Sequence, residues 1–284
     1  SPNPMVGCVI THGDTIIGEG WHRRAGEQHA EVMAIQSCPS SLENSTMYVT
    51  LEPCCHTGRT GSCVEAIVDA GISTVIVGSQ DPNPKVAGKG IVQLRQANIN
   101  VELLPAEDQC RSLNRYFFHA MRQQKPYVIA KWAMSIDGKI ATKDGDSKWI
   151  SNQQSRAMVH ETRHRVDAIA VGAGTVIKDN PRLTCRKEGV KDIEQPLRIV
   201  IDSKQQLPTS ANIFCPSLAG KTVLASDLMQ DTSYQLSALL DKLHQLEIRS
   251  LLVEGGSKVL TALLQQHLVD EIQCYIAPKL IGGE

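Results

Sequence analysis

Apolar positions along the chain switch repeatedly between alternation by two and recurrence at about 3.6, the marks of strands and helices. Residues 6–10 and 16–18 are apolar runs flanking a polar turn at 11–14, and they predict a β-hairpin. A helical pattern over 30–38 is closed by Pro39, and the run 46–51 is a strand stopped by Pro53. Helix, strand, helix and strand follow at 63–70, 73–78, 91–97 and 101–104, and a polar-flanked helix covers 111–124. Strands alternating with helices predict an α/β layer sandwich.

Lys125-Pro126 then separates this half from another, which sets a boundary near 124 and predicts domains 1–124 and 125–284. The second half opens with an apolar strand at 127–134, followed by the turn dipeptide Asp137-Gly138. A helix over 151–165 starts with a capping box, Ser151 with Gln154. Further strands are predicted at 168–172, 197–201, 222–225, 251–253 and 272–276, with helices at 234–246 and 258–268. This half is again α/β, and no repeat relates the two.

A length of 284 residues is comfortable for two domains, and 42% hydrophobic with 21% charged residues is a globular composition. The net charge of −1 argues against broad attraction to nucleic acid or membrane, and 4% aromatics are too few for a set of base-stacking platforms. No apolar run approaches the roughly 18 residues of a membrane span, so a cytoplasmic protein is expected. The chain opens on Ser1 and stops at Glu284, and both ends are expected to continue. Nine cysteines without a signal peptide read as metal ligands or buried thiols before disulfides.

The cysteines change the picture at three positions. His29-Ala30-Glu31 opens a helix, Pro53-Cys54 follows a strand, and Cys63 begins the next helix. One imidazole and two thiolates leave the fourth position of a tetrahedral zinc free for water, the catalytic arrangement. Glu31, two residues from His29, is suited to take the water proton and pass it to a leaving amine. His-x-Glu with Pro-Cys and a later cysteine is the zinc-deaminase signature, here with the long spacing Cys54-x8-Cys63. Cys55 is expected to point away from Cys54 and to be a bystander. Cys8, Cys38, Cys110, Cys185, Cys215 and Cys274 receive no function.

The segments Ser1-Pro2-Asn3-Pro4-Met5-Val6-Gly7, His29-Ala30-Glu31-Val32, Glu52-Pro53-Cys54-Cys55-His56-Thr57-Gly58-Arg59-Thr60 and Asp81-Pro82-Asn83-Pro84 resemble the deaminase half of the bifunctional riboflavin biosynthesis deaminase–reductases. The resemblance covers residues 1–90 and implies a cytidine-deaminase-like three-layer α/β domain. It also implies a substrate, the ribosylated diaminopyrimidinone 5′-phosphate derived from GTP, with Asn3, His22, His56, Arg59, Asp81 and Asn83 lining its pocket. Amide and carboxylate groups can read a pyrimidine edge, and His22, His56 and Arg59 can meet a phosphate.

The second half has no clean dinucleotide fingerprint. Gly172-Ala173-Gly174-Thr175 lacks a third glycine, and Val253-Glu254-Gly255-Gly256-Ser257 reads equally as a phosphate-binding turn or a plain strand–helix turn. Taken with Lys131-Trp132-Ala133-Met134-Ser135-Ile136-Asp137-Gly138-Lys139, Asp179-Asn180-Pro181-Arg182-Leu183-Thr184 and Arg198-Ile199-Val200-Ile201-Asp202-Ser203, these motifs resemble the reductase half of the same family. That resemblance implies a dihydrofolate-reductase-like α/β domain using NADPH. It places the cofactor along Ala133, Trp149, Thr175, Asp179, Ser203 and the stretch Gly256, Ser257, Lys258, Val259, Leu260, Thr261 and Ala262. It gives the substrate phosphate to Ser147, Arg163, Leu183 and Arg186, and puts Lys131 and Glu254 near the reacting ribose carbon.

The expected partners are a small phosphorylated pyrimidine and further copies of the chain, as a dimer or tetramer, with neither nucleic acid nor membrane. Two rival readings share part of this chemistry. A nucleoside or nucleic-acid deaminase would use the same zinc, but the near-neutral charge and the second half speak against it. A non-catalytic, zinc-stabilised binding protein would make Glu31 dispensable.

Overall fold

The hairpin forms as β1 (Gly7–His12) and β2 (Thr15–Trp21), antiparallel about the Gly13-Asp14 turn. The computed structural model describes residues 3–39, 41–56, 61–104, 107–147, 149–187, 189–190, 193–202 and 207–283. The chain divides into two units, Ser1–Gln123 and Gln124–Glu284.

In the first unit β3 (Thr46–Val49), β4 (Thr74–Val77) and β5 (Asn100–Leu103) complete a five-stranded sheet in the order β2-β1-β3-β4-β5. β3 runs antiparallel to β1, whereas β3, β4 and β5 are mutually parallel. The register sets Ile10 beside Met47 and Met47 beside Val75, so one face collects the large apolar side chains. Helices α1 (Ala30–Ser37), α2 (Cys63–Asp69) and α3 (Lys89–Gln96) bury Ala34, Ile67 and Leu94 in that same core. β3 stops two residues before the predicted end. Thr50 N instead bonds Gly7 O at 3.0 Å and Glu52 N bonds Ser79 O at 2.9 Å, which carries Cys54 past the end of the sheet.

The helix predicted at 111–124 is two helices, α4 (Glu107–Leu113) and α5 (Arg115–Gln123), interrupted at Asn114. The buried Asn114 amide pairs with both backbone groups of Met5, each at 2.7 Å. A short amide side chain committed to a distant backbone competes with helix continuation at its own position.

The second unit is built on six strands: β6 (Tyr127–Ser135), β7 (Ala168–Gly172), β8 (Leu197–Ile201), β9 (Thr222–Leu224), β10 (Ser250–Glu254) and β11 (Glu271–Ala277). Their order is β11-β6-β10-β7-β8-β9 and every pairing is parallel. β7 and β10 are buried along their whole length, which explains their unbroken apolar runs. Helix α6 (Gln153–Arg165) is capped by Asn152, whose side chain accepts from Ser155 N at 2.8 Å. The predicted capping box on Ser151 is therefore displaced by one residue. Two helices had no sequence signal, α7 (Ala173–Asp179) and α8 (Ala225–Met229), because a helix of one or two turns is too short to establish a period. Helices α9 (Leu236–Gln245) and α10 (Ser257–Gln265) cover one face with Leu239, Leu243 and Leu260. No described helix is long and apolar enough to cross a membrane. Because the strands are parallel, their carboxyl ends share one edge, the usual place for a ligand crevice in an open α/β sheet.

Candidate active sites

His29 is the N-cap of α1 and Cys63 the first residue of α2, so two helix starts present these side chains to each other. Cys54 is fastened to the α2 start by three bonds: Val64 N to Cys54 O (3.2 Å), Ser62 Oγ to Cys54 O (3.3 Å) and Cys63 N to Cys54 Sγ (3.4 Å). His29 Nδ1 lies 3.1 Å from Cys63 Sγ and 3.5 Å from Cys54 Sγ, and the three ligand atoms fall within 4.8 Å of one another. The Cys63 thiol donates to the Cys54 sulfur and, with His29 and the α2 amide, holds the Cys54 thiol down at about 4 despite its burial. The same bond, with burial, pushes the Cys63 thiol up. Two cysteine sulfurs and an imidazole nitrogen within 4.8 Å of one another are a donor set that fits zinc. Cys55 lies outside this cluster, its sulfur 3.9 Å from Lys85 O.

Glu31 sits in the first turn of α1 and is 3% exposed. Burial pushes its carboxyl up to about 7, even with a hydrogen bond to Cys63 and the nearby His29 opposing the shift. His22 stands edge-on to His29, ring centroids 5.3 Å apart. Its Nε2 receives Asn3 Nδ2 at 3.0 Å, and its Nδ1 faces Gln28 O at 3.0 Å, so the ring is held at both ends. Asp81 is buried and its carboxyl is raised to about 6 by desolvation, with Glu52 and Cys54 adding to the shift. Asn83 N donates to Asp81 Oδ1 at 2.7 Å, which shapes the turn that carries both. His56 is exposed, and Arg59 lies outside the described residues.

The residue the sequence reading passed over is Glu52, two positions before Cys54. It is 3% exposed, and its carboxylate accepts four backbone N–H groups, from Asp81 (3.1 Å), Gly88 (2.9 Å), Gly90 (3.0 Å) and Ile91 (3.3 Å). It thus joins the metal-ligand segment to the Asp81 turn and caps the start of α3. A Cβ at Gly90 would strike Pro53 O and stand 3.3 Å from Glu52 Cγ, so this close approach requires glycine. Glu52→Ala is expected to destabilise the first unit by about 3 kcal/mol, since each buried donor left unpaired costs about 1–3 kcal/mol. Native-state hydrogen exchange should show the Gly88 and Gly90 amides losing protection. Unchanged protection there would rule the bracing role out.

The second unit holds a cavity of about 1100 Å³ at the carboxyl ends of β6, β7, β8 and β10. It is lined by Lys131, Ser147, Arg163, Leu183, Arg186 and Glu254, and by Ala133, Trp149, Thr175, Asp179 and Gly256 through Thr261. Ala262 is not among its lining residues, and Ser203 lies outside the described residues. Gly255 and Gly256 turn the chain from β10 into α10 with φ of +60° and +74°, a conformation that favours glycine. A Cβ on Gly256 would lie 2.9 Å from Thr175 Oγ1, so the α10 start sits hard against the start of α7. An open helix N-terminus reached through two glycines fits a dinucleotide phosphate. Leu183 also holds a left-handed φ of +51° while buried, a strained backbone at the cavity wall.

At the floor of the cavity Arg163 grips Glu254 with both arms of its fork, Nε to Oε1 at 2.6 Å and Nη2 to Oε2 at 2.9 Å. Its third arm, Nη1, donates to Thr184 O at 2.9 Å. The side chains are only 11% and 10% exposed. Arg163 is therefore not an exposed helix residue: three of its five N–H groups are held by Glu254 and Thr184 O. Lys131 Nζ stands 3.8 Å from Glu254 Oε2 and 5.6 Å from the centre of the Tyr275 ring. Burial alone would raise the Glu254 carboxyl, but the Arg163 charge and hydrogen bonds outweigh it and hold it below the usual range. His160 also lines this cavity and was missed; its place one helical turn before Arg163 was the available signal.

The two units match two known domain families. Residues 1–79 match the cytidine and deoxycytidylate deaminase zinc-binding region, and residues 126–284 match the RibD C-terminal domain. The riboflavin biosynthesis protein RibD of Actinobacillus pleuropneumoniae is 43% identical, with 100% of this chain and 80% of the relative covered. The RibD of Escherichia coli is 38% identical over 100% of this chain and 84% of its own length. Among solved structures, a diaminohydroxyphosphoribosylaminopyrimidine deaminase/5-amino-6-(5-phosphoribosylamino)uracil reductase from Thermotoga maritima is 36% identical with a TM-score of 0.89, covering 100% of this chain and 82% of that one. RibD from Acinetobacter baumannii is 38% identical with a TM-score of 0.90, covering 100% and 83%. With a His-Cys-Cys cluster in one unit and a large cavity at the strand ends of the other, the chain belongs to the RibD family, the bifunctional deaminase–reductases of riboflavin biosynthesis.

Proposed function

We propose that residues 1–124 deaminate the ribosylated diaminopyrimidinone 5′-phosphate and residues 125–284 reduce the ribosyl side chain of the product. The observation that carries this reading is the pairing, in one chain, of a three-ligand metal cluster beside a buried carboxyl with a phosphate-ready cavity floored by Lys131 and Glu254.

His29, Cys54 and Cys63 would hold zinc, which would supply a Lewis acid for activating water near neutral pH. Glu31 takes the proton from the attacking water and returns it to the departing ring amine, which leaves as ammonia. Asn3, His22, His56, Arg59, Asp81 and Asn83 hold the substrate; the buried Asp81 and its Asn83 turn present a donor–acceptor edge to the pyrimidine.

In the second unit Ala133, Trp149, Thr175, Asp179, Ser203 and residues 256–261 would hold NADPH, which would supply the hydride. Lys131 and Glu254 move the proton needed to open the ribose ring while C1′ is reduced. Ser147, Arg163, Leu183 and Arg186 take the phosphate, and Arg163 also orients Glu254. The chain works as a cytoplasmic dimer or tetramer. Nine free cysteines support the reducing compartment, and the exposed Ile272 and Ile276 on edge strand β11, at 54% and 59%, support self-association.

Incubation with the diaminopyrimidinone phosphate and NADPH should release one ammonia and oxidise one NADPH per substrate. A chelator should stop the ammonia but leave NADPH oxidation on the already deaminated substrate. Ammonia release that survives complete zinc removal would overturn the first half, and deamination without NADPH oxidation would overturn the second.

A further inference from the structure

Helix α6 holds the segment Thr184–Arg186 at three places. Arg163 Nη1 donates to Thr184 O (2.9 Å), Cys185 Sγ donates to His160 O (3.3 Å), and Arg186 N donates to His160 Nδ1 (3.2 Å). The last bond settles the histidine's tautomer. An Nδ1 that accepts an amide proton carries none itself, so in the neutral ring Nε2 bears the hydrogen. His160 lines the reductase cavity with Lys131, Arg163, Arg186 and Glu254, and Nε2 is the polar atom it has left to offer.

We propose that His160 is a further substrate-binding residue of the reductase site, its Nε2–H donating to the 5′-phosphate that Arg186 holds. The proposal rests on the assignment of this cavity to the ribosylaminopyrimidine. Burial and the neighbouring charges of Arg163 and Arg186, with Lys131, oppose a proton on the second nitrogen and outweigh the Glu254 carboxylate, so the free ring is a neutral donor. The bond to Arg186 N also fixes the ring against the Arg186 backbone, and both residues line the same cavity. The role follows from the ring bond to a backbone amide 26 residues on.

Two variants of the full chain separate ligand binding from bracing. His160→Ala removes both nitrogens. His160→Asn keeps an acceptor where Nδ1 stands but offers nothing where Nε2 stands. Both should raise KM for the deaminated phosphate substrate roughly tenfold, the ordinary effect of one lost hydrogen bond to a charged group. KM for NADPH and the ammonia-release rate should stay at wild-type values in both variants, and Tm should stay at the wild-type value in His160→Asn, which keeps the bracing acceptor. The dephosphorylated riboside, read by competition, should bind wild type and both variants equally. The proposal is overturned if His160→Asn matches wild type, if KM is unchanged in both variants, or if the riboside shows the same penalty. A wild-type chain that fails to oxidise NADPH with this substrate overturns the cavity assignment itself, a result distinct from those three.

Discussion

Glu31→Gln will leave the protein folded and able to bind zinc while deamination falls by about 10²- to 10⁴-fold, the usual contribution of a positioned general acid–base. The variant conserves volume at a side chain that is 3% exposed, and the ligand atoms belong to His29, Cys54 and Cys63. An amide cannot accept a proton from water and return it to an amine, so the loss should fall on kcat. Metal content by atomic absorption and NADPH oxidation on the deaminated substrate should match wild type. In the wild-type enzyme the working form of Glu31 is the carboxylate, so the rate must fall as pH drops through its pKa. Burial sets that value at about 7 without metal. A nearby cation lowers it, so the acid limb of the kcat profile belongs at or below neutrality. Ammonia release by Glu31→Gln at more than a tenth of the wild-type rate would remove Glu31 from the chemistry.

Arg163→Met will destabilise the second unit by about 3–5 kcal/mol, because it leaves a buried carboxylate without its bidentate partner. Lys131, at 3.8 Å, cannot replace two bonds of 2.6 and 2.9 Å. The effect has a sign in pH. The native Glu254 carboxyl is depressed, so the ion pair contributes fully above the unfolded value near 4.5 and is lost as pH falls through the folded value. In the variant burial is opposed only weakly, the carboxyl moves up, and protonation relieves the penalty. The stability gap between variant and wild type should therefore be widest at pH 8 and narrow toward pH 4, as urea titrations at the two values will show. NADPH-dependent reduction should be lost while ammonia release continues. Replacing both partners, Arg163→Met with Glu254→Leu, should recover much of the stability but none of the reduction. A double variant that reduces substrate would exclude Glu254 from the reaction.

Much of both sites was legible before any fold was known, for a definable reason. A metal-ligand set needs particular atoms, so His29, Cys54 and Cys63, with Glu31 two residues from His29, declare themselves by type and spacing. Strands and helices declare themselves by period, and β1, β7, β8 and α2 lie within a residue or two of where the pattern puts them. The Gly255-Gly256 pair was visible but ambiguous, because a glycine turn reads the same whether it receives a phosphate or merely reverses direction. Its two positive φ angles and its contact with Thr175 resolve its geometry.

Other features were decided by tertiary structure alone. Asn114 breaks a helix because Met5, 109 residues away, offers it a complete backbone pair. Glu52 reads locally as one more acidic residue, and becomes a hub only when the sheet brings four amides of the 81–91 segment to it. Arg163 reads as part of a basic helical run until parallel pairing of β10 carries Glu254, 91 residues on, beneath it. Sequence by itself determined the chemistry available and the alternation of elements, since these depend on residue type and on neighbours within a turn or two. Which charges are paired, and which therefore remain free for substrate, depended on strand register and chain crossing, because burial makes an ion pair strong only after the fold has removed the water around it.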